Sequence, residues 1–222
     1  MGEMKFYSIC TNPGRRKKYT WAFPTFGFPT DKISCKICGR SWNSFANILK
    51  EHRPFPITFT NNYFADFISC EGYDLVNQRF KDFMAEHQIR SPKFVEMPIV
   101  TKSQLSESDL KERRDKGFDI KRFHDETPTY YLLDAEVGAE LHPDTDVFWR
   151  DFGPDVCTYC GYGVGYRRKS YLAPEYIQRN SWNGNDIFKV KEFDCLYCTE
   201  KFKTLCEQAK ITGIEFDEII SK

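Results

Sequence analysis

The chain has 222 residues, of which 41% are hydrophobic and 29% are charged, a balance typical of soluble globular proteins. Its formal net charge is zero. This argues against a protein that works mainly on the nucleic acid backbone, because such proteins usually carry a basic excess. No apolar stretch of about 18 residues could span a membrane, and the N-terminus lacks the apolar core of a signal peptide. We therefore expect a cytoplasmic protein without a membrane partner.

The first half of the chain contains a predicted strand–helix–strand unit. A separate first strand is predicted over residues 5–10. The unit has a strand over 63–70, a helix over 75–87 that Asp74 caps, and a strand over 94–99. Helical spacing places five side chains on one face of this helix: Val76, Phe80, Phe83, Met84 and His87.

The middle of the chain changes character. Residues 101–126 are dense in charges of both signs, and we predict an exposed insertion with a short helix over 108–116. A strand is predicted over residues 129–139. Its alternating pattern places four side chains on one side: Tyr131, Leu133, Ala135 and Val137.

The C-terminal part repeats the earlier order. Residues 186–198 predict one or two strands, Thr199 is expected to cap a helix over 200–209, and residues 214–219 predict a final strand. Residues 66–70 line up with residues 194–198. We therefore predict two similar strand–helix–strand units, with chance similarity as the open alternative.

These elements together predict an α+β fold. We expect a mixed or antiparallel sheet with helices on one face and a pair of zinc knuckles beside it. The predicted organisation is an N-terminal half over residues 1–100, a charged insertion over 101–126 and a C-terminal half over 127–222. Each half contains one knuckle and one strand–helix–strand unit. One compact domain overall is the alternative.

Two Cys-x-x-Cys-Gly motifs carry the clearest chemistry. Cys35 and Cys38 form the first pair, and Cys157 and Cys160 form the second. A tight turn lets both thiolates of a pair face one ion, and two pairs complete a tetrahedral shell. The glycine after each pair suits a turn that needs positive φ. We therefore predict one structural Zn²⁺ held by these four cysteines.

The remaining cysteines have a different interpretation. A redox dithiol is the alternative for the two motifs, but a redox pair is expected to open a helix, and the glycines indicate loop turns instead. Cys195 and Cys198 lie in a strand pattern, where residues i and i+3 point to opposite faces, so we expect no joint site from them. We interpret Cys10, Cys70 and Cys206 as small buried hydrophobic residues.

No catalytic set stands out in the sequence. The four histidines lack the partner spacing of a nucleophile or base, and the alternating glycines over 161–165 are not followed by a helix pattern, as a phosphate loop requires. We therefore expect no enzyme activity.

Several stretches together resemble the double-CXXCG motif family, which includes immunity proteins of bacterial swarming-inhibition toxin systems. The similar stretches are residues 4–7, 26–29, 35–39, 141–143, 157–161, 186–190, 199–202 and 213–216. The charged insertion and the Cys195/Cys198 pair depart from the family pattern. The resemblance implies that the metal ligands are the four knuckle cysteines, and that the partner is a cognate protein toxin.

The expected function is therefore that of an immunity protein that binds and neutralises a toxin. Such a protein needs a specific surface and no active site. The candidate contact residues are aromatics that follow the second knuckle, with core packing as their alternative role: Tyr162, Tyr166, Tyr171 and Trp182. The alternative function is a zinc-ribbon-like nucleic-acid-binding module, which basic runs at 15–18 and 167–169 favour and the zero net charge opposes.

Overall fold

The structure is a computed structural model that describes fifteen stretches of the chain. These are residues 4–12, 19–24, 33–34, 36–37, 39, 41–42, 54–70, 73–90, 92–115, 121, 125–145, 147–151, 164–168, 175–190 and 193–222.

Strands dominate these stretches, which confirms a mixed α+β class. The strands are β1 (Phe6–Thr11), β2 (Ala22–Pro24), β3 (Ile33–Ser34), β4 (Ser41–Trp42), β5 (Ile57–Phe59), β6 (Phe67–Cys70), β7 (Tyr73–Asn77), β8 (Lys93–Glu96), β9 (Tyr130–Asp134), β10 (Val137–Ala139), β11 (Val147–Asp151), β12 (Val164–Arg168), β13 (Tyr176–Ile177), β14 (Ile187–Val190), β15 (Phe193–Thr199) and β16 (Ile214–Ser221). The helices are α1 (Gln78–Glu86), α2 (Glu107–Asp115) and α3 (Glu200–Gln208), with short 3₁₀ turns at Lys102–Gln104 and Arg179–Ser181.

Two larger sheets organise these strands. One has four strands in the order β6-β7-β9-β8, and the other has six in the order β10-β14-β15-β1-β16-β13. In each sheet a hairpin leads into a helix and then into a further strand. A strand from elsewhere in the chain lies between the hairpin and that further strand: β9 in the four-stranded sheet and β1 in the six-stranded sheet. The two halves of the chain therefore exchange strands.

The pairing of the exchanged strands follows the same register in both sheets. In each sheet, a tyrosine of the exchanged strand is paired on one side with a residue of the strand before the helix and on the other side with a glutamate of the strand after it. Tyr131 faces Val76 and Glu96, and Tyr7 faces Cys198 and Glu218. A lysine of the following helix lies over each ring, with Lys81 4.1 Å from the Tyr131 centroid and Lys203 5.2 Å from the Tyr7 centroid.

The start of α1 differs from the prediction. Asn77, and not Asp74, caps the helix, and its side chain accepts a hydrogen bond from the Phe80 N–H at 3.0 Å. Leu75 and Val76 lie in β7 instead of the helix. The prediction was wrong because both faces of β7 are buried, so that its side chains do not show the apolar–polar alternation of a half-buried strand.

Four other predicted elements can be compared directly. The first strand is confirmed as β1, and the insertion helix is confirmed as α2. Thr199 caps α3 as predicted, and its hydroxyl accepts from the Phe202 N–H at 3.4 Å. The strand expected over 129–139 is instead two strands, β9 and β10. Val137 begins the second one and is 58% exposed, so its predicted place on the buried side is wrong.

The core consists of three clusters. The central cluster joins the two larger sheets and the inner faces of α1 and α3, and the rings of Phe80 and Phe202 lie 6.2 Å apart within it. The second cluster contains Leu75, whereas its neighbour Val76 belongs to the central cluster. Because neighbouring strand residues point to opposite faces, the second cluster covers the outer face of the four-stranded sheet. The third cluster similarly covers the outer face of the six-stranded sheet.

Candidate functional site

The four predicted zinc ligands, Cys35, Cys38, Cys157 and Cys160, lie outside the described residues. The strands around the first pair are described, and β3 pairs with β4 in antiparallel fashion. The first motif therefore occupies the connection of a hairpin. Gly39, directly after this pair, has φ +68°, as the sequence predicts for a knuckle turn. The backbone on either side of the first pair thus fits a thiolate site for Zn²⁺.

The second motif also lies between two paired strands. β11 and β12 are antiparallel, with Val147 opposite Arg168 and Asp151 opposite Val164. Gly161, Tyr162 and Tyr171 lie outside the described residues. Tyr166 lies on β12 opposite Trp149, and the structure describes its backbone alone.

Described residues that lie further along the chain from the two motifs belong to different parts of the core. Ile57 follows the first motif and belongs to the second cluster, whereas Leu141 and Ile177 flank the second motif and belong to the third cluster. These clusters cover outer faces of different sheets.

The described residues contain no group of three His, Cys, Asp or Glu side chains that could hold a metal ion. The knuckle cysteines are not among the residues to which this finding applies. Zinc binding by these four thiolates consequently remains a prediction, and the described parts of the chain offer no competing site.

The other cysteines follow the strand faces. Cys198 is buried in the central cluster, whereas Cys195 is exposed. Cys70 and Cys206 are buried as predicted, and burial raises the pKa of the Cys206 thiol. Cys10 is exposed, so its predicted burial is wrong. The apolar third cluster covers this face of β1 at Phe6 and does not extend to Cys10.

Two buried aspartates each bind several polar groups, and the sequence analysis did not predict either of them. Asp66 precedes β6 and accepts hydrogen bonds from the amide of Asn77 at 3.0 Å and from both the N–H and the hydroxyl of Thr212 at 2.8 Å. The guanidinium of Arg79 also pairs with it. Asp66 therefore connects the start of α1 to the loop after α3.

Asp186 has the reciprocal arrangement. It precedes β14 and accepts from the N–H of Arg90 at 3.0 Å, in the segment that follows α1. The ammonium of Lys201, in the first turn of α3, lies 3.2 Å from the same carboxylate oxygen. Each aspartate thus joins its own hairpin and helix to the loop after the other helix. In the sequence, the sign of both buried aspartates was an aspartate directly before an apolar strand.

The described aromatic side chains that are exposed are not the ones that the sequence suggested as contact residues. Trp182 packs edge-on against Phe6 at 5.5 Å, and its indole N–H donates to the Asn185 carbonyl at 2.9 Å. Two exposed aromatics that the sequence reading did not select are Trp21 at 42% and Tyr63 at 54%. Their chain segments are neighbours, since the N–H of Thr20 donates to the Tyr63 carbonyl at 2.9 Å.

An open cavity of about 780 Å³ lies beside the C-terminal strand. Its lining consists of Met4, His142, Pro143, Gln178, Arg179, Asn180 and Lys222. The Lys222 ammonium lies 2.8 Å from the Asp144 carboxylate, and this hydrogen bond raises the pKa of Lys222 and lowers that of Asp144. Of the two cationic side chains in this lining, Arg179 and Lys222, the second is thus paired with a carboxylate.

Among the described residues, no helix combines the length and apolar character needed to cross a membrane. No protein-family model matches the chain, and no curated protein matches it. The likeness to the double-CXXCG family therefore depends on the motif residues named above.

Proposed function

We propose that this chain is an immunity protein that binds and neutralises a cognate bacterial toxin, with a structural Zn²⁺ held by Cys35, Cys38, Cys157 and Cys160. The observation that carries the proposal is the resemblance of both knuckles and their flanking stretches to the double-CXXCG family. The hairpin around the first pair and the positive φ of Gly39 support the knuckle.

We also infer that the chain consists of two related units. Residues with matching roles are separated by a constant 122 positions, in caps, in cation–π pairs and in both knuckles: Asn77 and Thr199, Lys81 and Lys203, Cys35 and Cys157, Cys38 and Cys160. Asp66 and Asp186 have matching roles at a separation of 120 positions, two short of this spacing. The sequence-based match of residues 66–70 to residues 194–198 has a separation of 128 positions and is out of register with both. Asp66 precedes the first strand of its hairpin, whereas Asp194 lies in the second.

Such a scaffold suits a protein that acts by contact. The exchanged strands and the two reciprocal aspartates connect the units at several points, which favours one rigid body. A pre-organised surface loses less entropy on binding than a mobile one, and so binds more tightly for the same contacts. Trp21 and Tyr63 are the described exposed aromatics that offer anchors of the kind found at interface centres.

Protection of cells tests the function. The product of the neighbouring gene is expressed alone and together with this chain, and survival is measured. We expect survival only when both are expressed, and a loss of protection in a Trp21→Ala, Tyr63→Ala double variant whose thermal midpoint is unchanged. Val137→Ala, at an exposed position outside the aromatic pair, is the matched control. The proposal would be contradicted if the product of the neighbouring gene is harmless to cells, or if cells die even though both proteins are expressed.

Zinc content tests the scaffold separately. Elemental analysis of protein never exposed to a chelator should find about one ion per chain, and less than half an equivalent would contradict the site. If both motifs share the ion, Cys35→Ser and Cys157→Ser each abolish zinc binding, whereas the exposed Cys195→Ser leaves it intact. A salt-dependent shift of DNA or RNA by the zinc-loaded protein would instead favour the nucleic-acid-binding alternative.

A further inference from the structure

Cys10 of β1 and Cys195 of β15 lie on neighbouring antiparallel strands. The register of this pairing places Ser8 opposite Tyr197. The regular pairs end there, and β15 departs from regular pairing with β14 between Leu196 and Phe193. Extended by two residues, the register of β1 and β15 brings Cys10 opposite Cys195. Both side chains are exposed, and both are thiols. Cys195 lies close enough to influence the ionisation of the Cys10 thiol.

The backbone pattern defines the kind of site that this pair occupies. The N–H of Glu200 donates to the Lys5 carbonyl at 3.3 Å, so odd-numbered residues of β1 bond to β15 and even-numbered residues bond to β16. Cys10 is even-numbered and therefore faces Cys195 at a non-hydrogen-bonded position. Opposed Cα atoms at such positions are about 4.5 Å apart. This separation falls within the range of about 4.4–6.8 Å that disulfides span.

We propose that Cys10 and Cys195 are a redox modification site that forms a reversible disulfide with hydrogen peroxide as the oxidant. The thiolate of one cysteine attacks a peroxide oxygen, which breaks the O–O bond, gives a sulfenic acid and releases one water after protonation. The second thiolate attacks the sulfenic sulfur and expels hydroxide, which leaves as the second water. Two thiols and one peroxide thus give one disulfide and two waters.

The surroundings of Cys10 affect the reactivity of its thiol. Its thiol lies 3.8 Å from a carboxylate oxygen of Asp217. Burial and this carboxylate both raise the pKa of the Cys10 thiol. Because the thiolate is the form that reacts, Asp217 slows the step in which Cys10 takes part as a nucleophile.

The fold itself does not need cysteine at these positions. In the four-stranded sheet, Leu75 faces Leu132. Two residues further, the same register sets Tyr73 opposite Asp134, at the places that Cys195 and Cys10 take in the six-stranded sheet. Only the six-stranded sheet therefore carries an oxidisable pair at this position. The bond would join β1, which the first half of the chain contributes, to the hairpin of the second half.

Peptide mapping tests the proposal on the whole chain. The protein is treated with hydrogen peroxide, its remaining thiols are alkylated, and it is digested with trypsin without reduction. Cleavage at lysine and arginine leaves Cys10 in peptide 6–15 and Cys195 in peptide 192–201. We expect the linked pair of peptides to increase at least ten-fold over untreated protein and to disappear with dithiothreitol.

Peptide 192–201 also contains Cys198, which supplies the matched control. Cys195→Ser should abolish the linked peptides and Cys198→Ala should retain them. Fragmentation of the wild-type linked peptides locates the bridge independently, even if the Cys198→Ala chain does not fold. Asp217→Asn should accelerate the linkage several-fold. The proposal is overturned if Cys10 and Cys195 are recovered separately alkylated after peroxide treatment, or if the bridge maps to Cys198.

Discussion

Removal of the Asp66 carboxylate should cause a large loss of stability, because its bonds connect the two units of the chain. In an Asp66→Ala variant, the N–H and hydroxyl of Thr212 lose their shared acceptor, and so does the amide of Asn77. Hydrogen bonds to a charged group contribute about 1.5–3 kcal/mol each, and they are not additive at one acceptor. Arg79 is half-exposed and regains water, so the loss of its ion pair contributes little.

The expected decrease in the free energy of unfolding is therefore about 3–5 kcal/mol, the range for breaking a buried charged network. For a chain of this size, it corresponds to a fall in Tm of about 6–20 °C. Urea unfolding followed by far-UV circular dichroism measures the free energy directly. Asp66→Asn keeps the shape but removes the charge, and should lose about half as much.

Asp82→Ala is the matched control for this prediction. Its carboxylate accepts one hydrogen bond from Gln78 on the exposed side of α1, so the change should cost less than about 0.5 kcal/mol. A double-mutant cycle between Asp66→Ala and Thr212→Val should give a coupling of about 1 kcal/mol or more. If Asp66→Ala loses less than about 1 kcal/mol, or if the cycle shows no coupling, the proposed role of Asp66 is wrong.

Three further predictions concern a turn, a tyrosine and the metal. Gly213→Ala should lower the free energy of unfolding in urea by about 3 kcal/mol or more, because φ is +83° and the added Cβ would lie 2.0 Å from the Phe67 carbonyl oxygen. As the control, Gly39→Ala should lower it by about 1 kcal/mol, because φ is +68° there but nothing lies within 4 Å of the added Cβ. Burial raises the pKa of Tyr130. The stability that its neutral phenol provides is therefore complete below the pKa of about 10 that it has in the unfolded chain, and is lost as the pH rises further. Absorbance at alkaline pH should show this phenolate appearing only with unfolding, and Tyr130→Phe should remove the signal. A zinc chelator should lower Tm in the wild type and leave a Cys35→Ser, Cys157→Ser double variant unchanged.

Helices and single strands were predictable where local chemistry marked their ends. Thr199 followed by an amphipathic run was sufficient to place α3, and the density of charge was sufficient to place α2 in an exposed insertion. β7 was not predictable in this way, because its two faces pack against different clusters and Val76 falls at helical spacing with Phe80. Long-range pairing decided this case, and a single sequence does not display it.

The candidate site was predictable in its chemistry but not in its supports. The Cys-Gly spacing anticipated the positive φ of Gly39. The burial of Asp66 depends on Thr212, which is 146 residues away in the chain. The surroundings of Cys10 depend on strand β15, where Cys195 is about 185 residues away. The strand–helix–strand order in both halves was visible in the sequence, but the residue match was wrong, because residues 67–70 form the first strand of one hairpin and residues 194–198 lie in the second strand of the other.

The exchange of β1 and β9 leads to a last prediction, about the two halves of the chain. Residues 1–100 contribute β1 to the sheet of the other half, and residues 127–222 contribute β9 in return. Each half expressed alone lacks the strand between its hairpin and the strand after its helix. The hairpin and that strand then have unpaired backbone edges, and the central cluster loses the side chains of the opposite helix.

Neither fragment should fold alone, and the two should fold together when they are mixed. Circular dichroism and urea unfolding of each fragment, and of an equimolar mixture, measure this. We expect non-cooperative traces for the single fragments and one cooperative transition for the mixture, with a midpoint that rises with concentration because the association is bimolecular. Asp66→Ala in the first fragment should weaken the association, because Thr212 belongs to the second. A fragment that unfolds cooperatively alone would show that its sheet does not need the exchanged strand.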